Sequence, residues 1–275
     1  MGETYPQPQK FHHSQILYLQ VYNYRMSLAF NVDNTLKAIV WDYDGTLVDT
    51  RRKNYKVTRA IVQVVTGRTP DEFAVLRTFA SYWAATRRMI NWRDLYATEL
   101  GLSESETDLA GQFWTEYQLK DSTQVKVFDG LGFVLEMLDK FPQGIISMNS
   151  KENITQVMEK NGLAFYIDVI IGYEEVPFNQ QKPAPQPLLS CLQQLINNDP
   201  GIILYIGDHK TDFECARNTN RELEKSGQQT RVFSVGAAYG YLKDDSRLST
   251  KPDYWARQPE DILNIVEKMS KPSSN

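Results

Sequence analysis

Five short apolar runs, each followed by turn-forming or polar residues, recur along the chain: Lys37–Trp41 (KAIVW), Gly144–Ser147 (GIIS), Asp168–Ile171 (DVII), Ile202–Ile206 (IILYI) and Arg231–Val235 (RVFSV). Runs this continuous suit strands buried on both faces, since a sheet with one wet face would alternate apolar and polar positions. Between them, apolar residues fall three and four apart, the helical period: Leu131, Val134, Leu135 and Leu138; Ile154, Val157 and Met158; Leu188, Leu192, Leu195 and Ile196. Strands alternating with helices predict a doubly wound α/β fold, a parallel sheet covered on both sides.

The alternation stops between about residues 51 and 125, where only helical spacing is found: Ala60, Ile61, Val64 and Val65; Trp92, Leu95 and Tyr96; Leu109, Phe113, Trp114 and Tyr117. This predicts an inserted α-helical subdomain over 51–125, with residues 26–50 and 126–275 forming the core. The insertion starts directly after the first strand's polar residues, where a cover would exclude water from any chemistry they perform. Residues 1–25, polar and aromatic, lack the apolar middle of a signal peptide and are expected to form a flexible arm or a partner-binding strand. Trp83 and Trp92 are expected in the insertion's core, because aromatic side chains at helical spacing usually pack. Arg51, Arg52, Lys53, Arg87 and Arg88 read as solvated helix faces.

At 275 residues and 41 % hydrophobic, the chain can bury a sizeable interior. Its net charge of -4 offers no general attraction for nucleic acid or anionic lipid, so neither is expected as a partner. No run of about 18 apolar residues predicts a membrane span. Cys191 and Cys215 have no metal-ligand spacing and suit a reducing compartment, which makes the expected location cytoplasmic. Three histidines, His12, His13 and His209, are too scattered for a zinc site.

In open α/β sheets, ligands bind at the carboxyl ends of the strands. There the sequence places Asp42, Asp44 and Thr46 after the first strand, Ser147 and Asn149 after the second, and Asp208 and Asp212 of GDHKTD after the fourth. Lys182 of KPAP follows the third strand. Four carboxylates at one edge need a cation, and an oxygen-only ligand set favours Mg²⁺ with room left for water and a substrate phosphate. A calcium loop fails on register: counted from Asp42, its required glycine and glutamate positions hold Leu47 and Lys53. A glycine-rich nucleotide cradle ending in Gly-Lys-Ser or Gly-Lys-Thr is also absent. Asn149 has two readings, a phosphate contact or a cap for the helix starting near Lys151.

DYDGT (Asp42–Thr46), Ser147, Lys182 before PAP, and GDHKTD (Gly207–Asp212) occur in the order and spacing of the haloacid dehalogenase superfamily, which the chain resembles over nearly everything beyond Lys37. Within that superfamily, IDVIIGYEEVP, KPAP, GDHKTDFECARN, VFSVGAAYGY and KPDYW look most like the phosphoglycolate-phosphatase-like group. The resemblance implies a Rossmann-like core with a helical cap and a Mg²⁺-dependent phosphomonoester hydrolase acting on a small phosphorylated metabolite. Phosphoglycolate and a sugar phosphate are the candidate substrates. It implies Asp42 as the nucleophile forming an aspartyl-phosphate, and Asp44 as general acid and then base. Asp42, Asp208 and the main-chain carbonyl of Asp44 would hold the metal, Asp212 would stand behind it, and Ser147, Asn149 and Lys182 would bind phosphate. Dehalogenation is disfavoured because the related dehalogenases lack the second acid, here Asp44. A phosphohexose mutase is the alternative enzyme, weakened because the related mutases carry a histidine where this chain has Asn54. A non-catalytic interaction protein would be expected to have lost one of the acids.

Overall fold

The computed structural model describes residues 36–89, 91–197, 199–241 and 249–270; the arm expected over 1–25 lies outside the described residues. The elements run β1 (Leu36–Trp41), β2 (Val48–Asp49), α1 (Arg51–Thr66), α2 (Phe79–Thr86), α3 (Glu104–Lys120), β3 (Lys126–Val127), α4 (Leu131–Met137), β4 (Gln143–Ile146), α5 (Lys151–Lys160), β5 (Val169–Ile171), α6 (Gln186–Ile196), β6 (Ile202–Gly207), α7 (Lys210–Lys225), β7 (Arg231–Ala237), β8 (Tyr254–Ala256) and α8 (Asp261–Ser270). Between α2 and α3, a short helical turn at Trp92–Asp94 runs into a π-helical turn at Leu95–Glu99.

Six strands pair in parallel in the order β5-β4-β1-β6-β7-β8. The apolar runs divide between two cores because successive side chains of a strand point to opposite faces. Ile39 and Trp41 of β1, with Leu204 and Ile206 of β6, pack on one face against α4, α5 and α8 through Val134, Leu135, Ile154, Met158, Ile262 and Val266. Ala38 and Val40, with Ile203 and Tyr205, pack on the other face against α6 and α7 through Leu188, Leu192, Cys215 and Leu223. Full burial of a Leu, Ile or Val side chain contributes roughly 1.5–3 kcal/mol, so this double-sided core is the main term holding the sheet. Two features escape the hydrophobic pattern. β8 is a sixth strand of only three residues, and β2 pairs with β3 in a two-residue antiparallel ladder.

The β2–β3 ladder decides how the helical insertion is mounted. Val48 lies opposite Val127 and Asp49 opposite Lys126, so the chain leaves for the insertion and returns from it side by side. The insertion has its own apolar cluster, with Val57, Ile61 and Val62 of α1, Tyr82 and Ala85 of α2, Leu95, Tyr96, and Ala110 of α3. α3 starts on a capping box in which the Ser103 and Glu106 side chains each accept the other's main-chain N–H. Among the described residues, no helix is long and apolar enough to cross a membrane.

One buried polar contact ties the strands to their covering layer. Gln143, fully buried opposite Ile39, accepts the Trp41 indole N–H at 3.0 Å and donates to the Leu135 carbonyl at 3.2 Å. In Gln143→Leu the indole N–H has no acceptor, while the Leu135 carbonyl keeps the Leu138 N–H. A loss of ~1–3 kcal/mol is expected, read as a lower urea midpoint with an unchanged slope.

Candidate active site

The carboxyl ends of β1, β4 and β6, adjacent in the sheet, bring the sequence motifs together. The main-chain N–H of Asp42 still donates to Ile206 of β6 at 2.8 Å, which fixes Asp42 one residue beyond the strand. The chain then turns sharply, with the Tyr43 carbonyl accepting the N–H groups of Leu47 and Val48. Gly45 sits in this turn at φ +87°, and a Cβ there would lie 2.3 Å from Asp208 Oδ2. Only glycine tolerates both that backbone and that approach. Gly207 likewise admits the Asp212 side chain, 2.5 Å from where its Cβ would stand.

At the centre is Lys182, whose Nζ donates at 2.7 Å to both Asp42 Oδ1 and Asp212 Oδ1, and at 3.4 Å to the Ile146 carbonyl. The three side chains are at most 8 % exposed. Asp212 is held from all sides: Oδ1 also accepts the Tyr205 hydroxyl at 2.7 Å, and Oδ2 accepts the His209 N–H at 3.0 Å. His209 itself occupies the N-cap of α7, its ring nitrogen accepting from the Thr211 N–H. By contrast, the half-buried carboxylate of Asp208 has no hydrogen-bond partner among the described residues, and Asp42 engages only Oδ1.

Three carboxylates against one ammonium leave surplus negative charge. Burial would push the Lys182 ammonium toward neutrality, but Asp212 and Asp42 hold it charged, with its pKa above that of a free lysine. Burial, opposed by Lys182 and reinforced by Asp212 and Asp44, lifts the Asp42 carboxyl from 3.8 to about 7. Asp208 is raised as well, first by burial and then by Asp42 and Asp212. One oxygen from each of Asp42, Asp208 and Asp212 lies within 4.8 Å of the others, so a hard divalent cation fits this donor set. Open lone pairs remain on Asp208 and on Asp42, whereas those of Asp212 are already engaged.

Asp44 faces the same space from a different environment. Its Oδ1 accepts from the Thr50 hydroxyl and from Asn54 Nδ2 at 3.4 Å; its Oδ2 accepts from Asn149 Nδ2 at 3.3 Å and lies 3.5 Å from Ser147 Oγ. Asn149 does not cap α5. Ser150 does, its hydroxyl accepting from the Asn153 N–H, while Asn149 Oδ1 accepts from Ser150 and Asn153. Thr50 stands at the N-cap position of α1 but spends its hydroxyl on Asp44. Asn54 in turn accepts from Gln118 of α3 at 2.7 Å, a contact that runs from the insertion to Asp44. In the sequence Asn54 stands out only as the position of the related mutases' histidine, and Thr50 does not stand out. The signal was spacing: Thr50 and Asn54 are four apart, one helical turn, at the start of the helix nearest Asp44.

A cavity of about 370 Å³ opens over these groups, lined on one side by Asp42, Asp44, Ser147, Asn149, Lys182 and Asp208, and on the other by residues of the insertion. Trp92 packs against the insertion's apolar cluster as expected and also lines this cavity, whereas the expectation for Trp83 is corrected: it is only partly buried, stands outside that cluster and lines the cavity. Helical spacing reports that a face is covered, not whether protein or ligand covers it. Arg51 is corrected too: it pairs with Asp49 at 2.6 Å, stacks over the Tyr241 ring at 4.1 Å and lines the same cavity, as does Arg87.

Residues 39–223 match the model of the haloacid dehalogenase-like hydrolases. Among curated proteins, the chain is 25 % identical over 239 residues to the N-acetylmuramic acid 6-phosphate phosphatase of Pseudomonas aeruginosa, covering 85 % of this chain and 96 % of that one. It is 24 % identical over 253 residues to the phosphoglycolate phosphatase of Synechococcus elongatus, covering 85 % and 99 %. Among solved structures, a haloacid dehalogenase-like family hydrolase from Streptococcus pneumoniae superposes with a TM-score of 0.61 at 21 % identity over 84 % of this chain and 98 % of that one, which speaks for the fold alone.

The raised pKa of Asp42 makes a stability statement. The folded protein keeps a proton that the unfolded chain releases near pH 3.8, so between there and about pH 7 each rise in pH favours unfolding. In a chelator, subtracting the urea-unfolding free energy of Asp42→Asn from that of the parent is expected to give a difference that falls over this window. A flat difference would contradict it.

Proposed function

Because the chain belongs to the haloacid dehalogenase-like hydrolases and is a hydrolase of phosphoric monoesters, we propose that it is a Mg²⁺-dependent phosphatase of a small phosphorylated metabolite, working through an aspartyl-phosphate. The observation that carries the reading is the contrast between two neighbouring acids. Asp42 is buried against Lys182 beside the open carboxylate of Asp208, and Asp44 stands in a ring of hydroxyl and amide donors at the cavity.

Asp42 attacks phosphorus along the opening of the cavity, and Asp44 gives its proton to the leaving alkoxide, then takes one from the water that hydrolyses the intermediate. Ser147, Asn149 and Lys182 hold the non-bridging phosphate oxygens; Lys182 is pre-aligned, since Asp212 and Tyr205 leave its ammonium little freedom. Asp42, Asp208 and the main-chain carbonyl of Asp44 would hold Mg²⁺, with Asp212 orienting Lys182 behind them. When bound, the ion supplies positive charge to the phosphate. A proton on Asp42 would quench its nucleophilicity, so the surplus negative charge is itself a reason for a cation. The helical insertion over 51–125 acts as the cap on a core of 26–50 and 126–275, and Gln118 and Asn54 carry its position to Asp44. A cytoplasmic setting agrees with two free, buried cysteines, and neither nucleic acid nor membrane is proposed as a partner. The two curated relatives bear names for substrates of very different size, so likeness at this level supports the chemistry more than the substrate.

Two measurements test this. Mg²⁺ is expected to raise the melting temperature of the parent by binding only the folded chain, and Asp208→Asn to abolish that shift; an equal shift in both would remove Asp208 from the metal site. Asp44→Asn is expected to lower kcat on phosphomonoesters by ~10²–10⁴-fold, with the Mg²⁺-dependent melting shift retained. Full activity in that variant would overturn the acid–base role.

A further inference from the structure

The cavity is built for more than a phosphate. Its phosphate pole uses Asp42, Ser147, Asn149 and Lys182, and the rest of the roughly 370 Å³ lies against the insertion. That volume falls in the range of about 300–1,000 Å³ typical of sites enclosing drug-sized ligands. Three tryptophans from three separate segments form the far walls: Trp83 of α2, Trp92 of the following turn and Trp114 of α3. Two are braced by other rings. Trp83 stands edge-on to Tyr241 with centroids 4.9 Å apart, and Trp92 meets Tyr96 at 5.9 Å and Phe178 at 6.2 Å. Gly111 of α3 makes room for Trp92, whose ring would come within 2.6 Å of a Cβ at that position.

All three tryptophans are only partly buried; the Arg51 guanidinium lies over the Trp83 ring at 5.4 Å and that of Arg93 over the Trp92 ring at 5.3 Å, and the remaining ring surface that lines the cavity is available to a ligand. None of their indole N–H groups donates to a described residue, although a buried indole usually finds an acceptor. Flat aromatic walls with free N–H donors complement a ring that has an apolar face and acceptors on its rim. A two-carbon acid would touch neither feature. Resting on the phosphomonoesterase reading above, we infer that the leaving group is a bulky cyclic alcohol stacked between Trp83, Trp92 and Trp114. These three side chains then set substrate preference while the core carries out the chemistry.

The test uses the full chain with Mg²⁺ and three probes: 2-phosphoglycolate, glucose 6-phosphate and 1-naphthyl phosphate. At least one cyclic ester is expected to exceed 2-phosphoglycolate about 100-fold in kcat/KM. Trp83→Ala and Trp114→Ala are expected to cut that ratio about tenfold, chiefly through KM. Because each variant is read as a ratio within one preparation, partial misfolding cancels. Equal or better turnover of 2-phosphoglycolate, or a ratio that neither variant moves, overturns the inference. If no ester is hydrolysed, the phosphomonoesterase reading fails, and the cavity is judged by calorimetric binding alone. Binding of 1-naphthyl phosphate at least tenfold tighter than 2-phosphoglycolate then upholds it, and equal or weaker binding overturns it.

Discussion

A lysine ammonium buried between two carboxylates is the constraint on which the rest of this structure depends. An ion taken out of water costs several kcal/mol even after relaxation, so Lys182 stays charged only because Asp42 and Asp212 accept from it on either side. Removing Lys182 would leave two buried carboxylates without their cation. Tyr205 and the His209 N–H fix Asp212, which fixes Lys182, which fixes one oxygen of Asp42. The rigidity of the Asp42 carboxylate is thus inherited from β6 and the first turn of α7. The other oxygen of Asp42 and both of Asp208 stay open, and their mutual repulsion is what a cation would relieve.

The sheet makes this arrangement possible without long loops. β1 lies between β4 and β6, so residues just past three strand ends converge within one or two positions of regular backbone. Such positions are held by ladder hydrogen bonds and by the two cores beneath them, which suits a site that must keep charged groups at fixed distance. The helical insertion is attached differently. The two-residue β2–β3 ladder joins its two connections, and hydrogen bonds run from Gln118 through Asn54 to Asp44. Asp44 is therefore the group best placed to register the insertion's position, while the hydrogen bond of Asp42 to Lys182 is made within the core.

What the sequence disclosed follows from the range of each interaction. The strands over 37–41 and 202–206 were legible because a strand buried on both faces has to be apolar throughout. Glycine, aspartate and lysine at strand ends were legible because few other residues meet those demands. β8 was not: Tyr254–Ala256 is three residues long, and its pairing with β7 depends on tertiary contact rather than local pattern. The β2–β3 ladder was hidden for the same reason, since it joins residues nearly eighty positions apart. Trp83 was not legible as a cavity wall, because a ligand-facing wall and a packed face carry the same periodicity. Thr50 occupies a helix N-cap position, and only the structure puts its hydroxyl on Asp44.

This difference in legibility has a physical source that bears on function. Charge chemistry tolerates few substitutions, because a buried ammonium, its two acceptors and the glycines beside them must all be present together. A cavity wall made of aromatic and aliphatic side chains tolerates many, because volume-conserving exchanges usually cost under about 1.5 kcal/mol. Relatives near 25 % identity can therefore share the first half of the site and differ in the second, as the dissimilar substrate names of two of them suggest. In this chain the insertion side of the cavity includes three tryptophan surfaces, of which Trp83 and Trp92 are braced by tyrosine and phenylalanine rings. Such braced rings lose little freedom when a ligand stacks on them, so recognition rests on shape already present in the folded insertion.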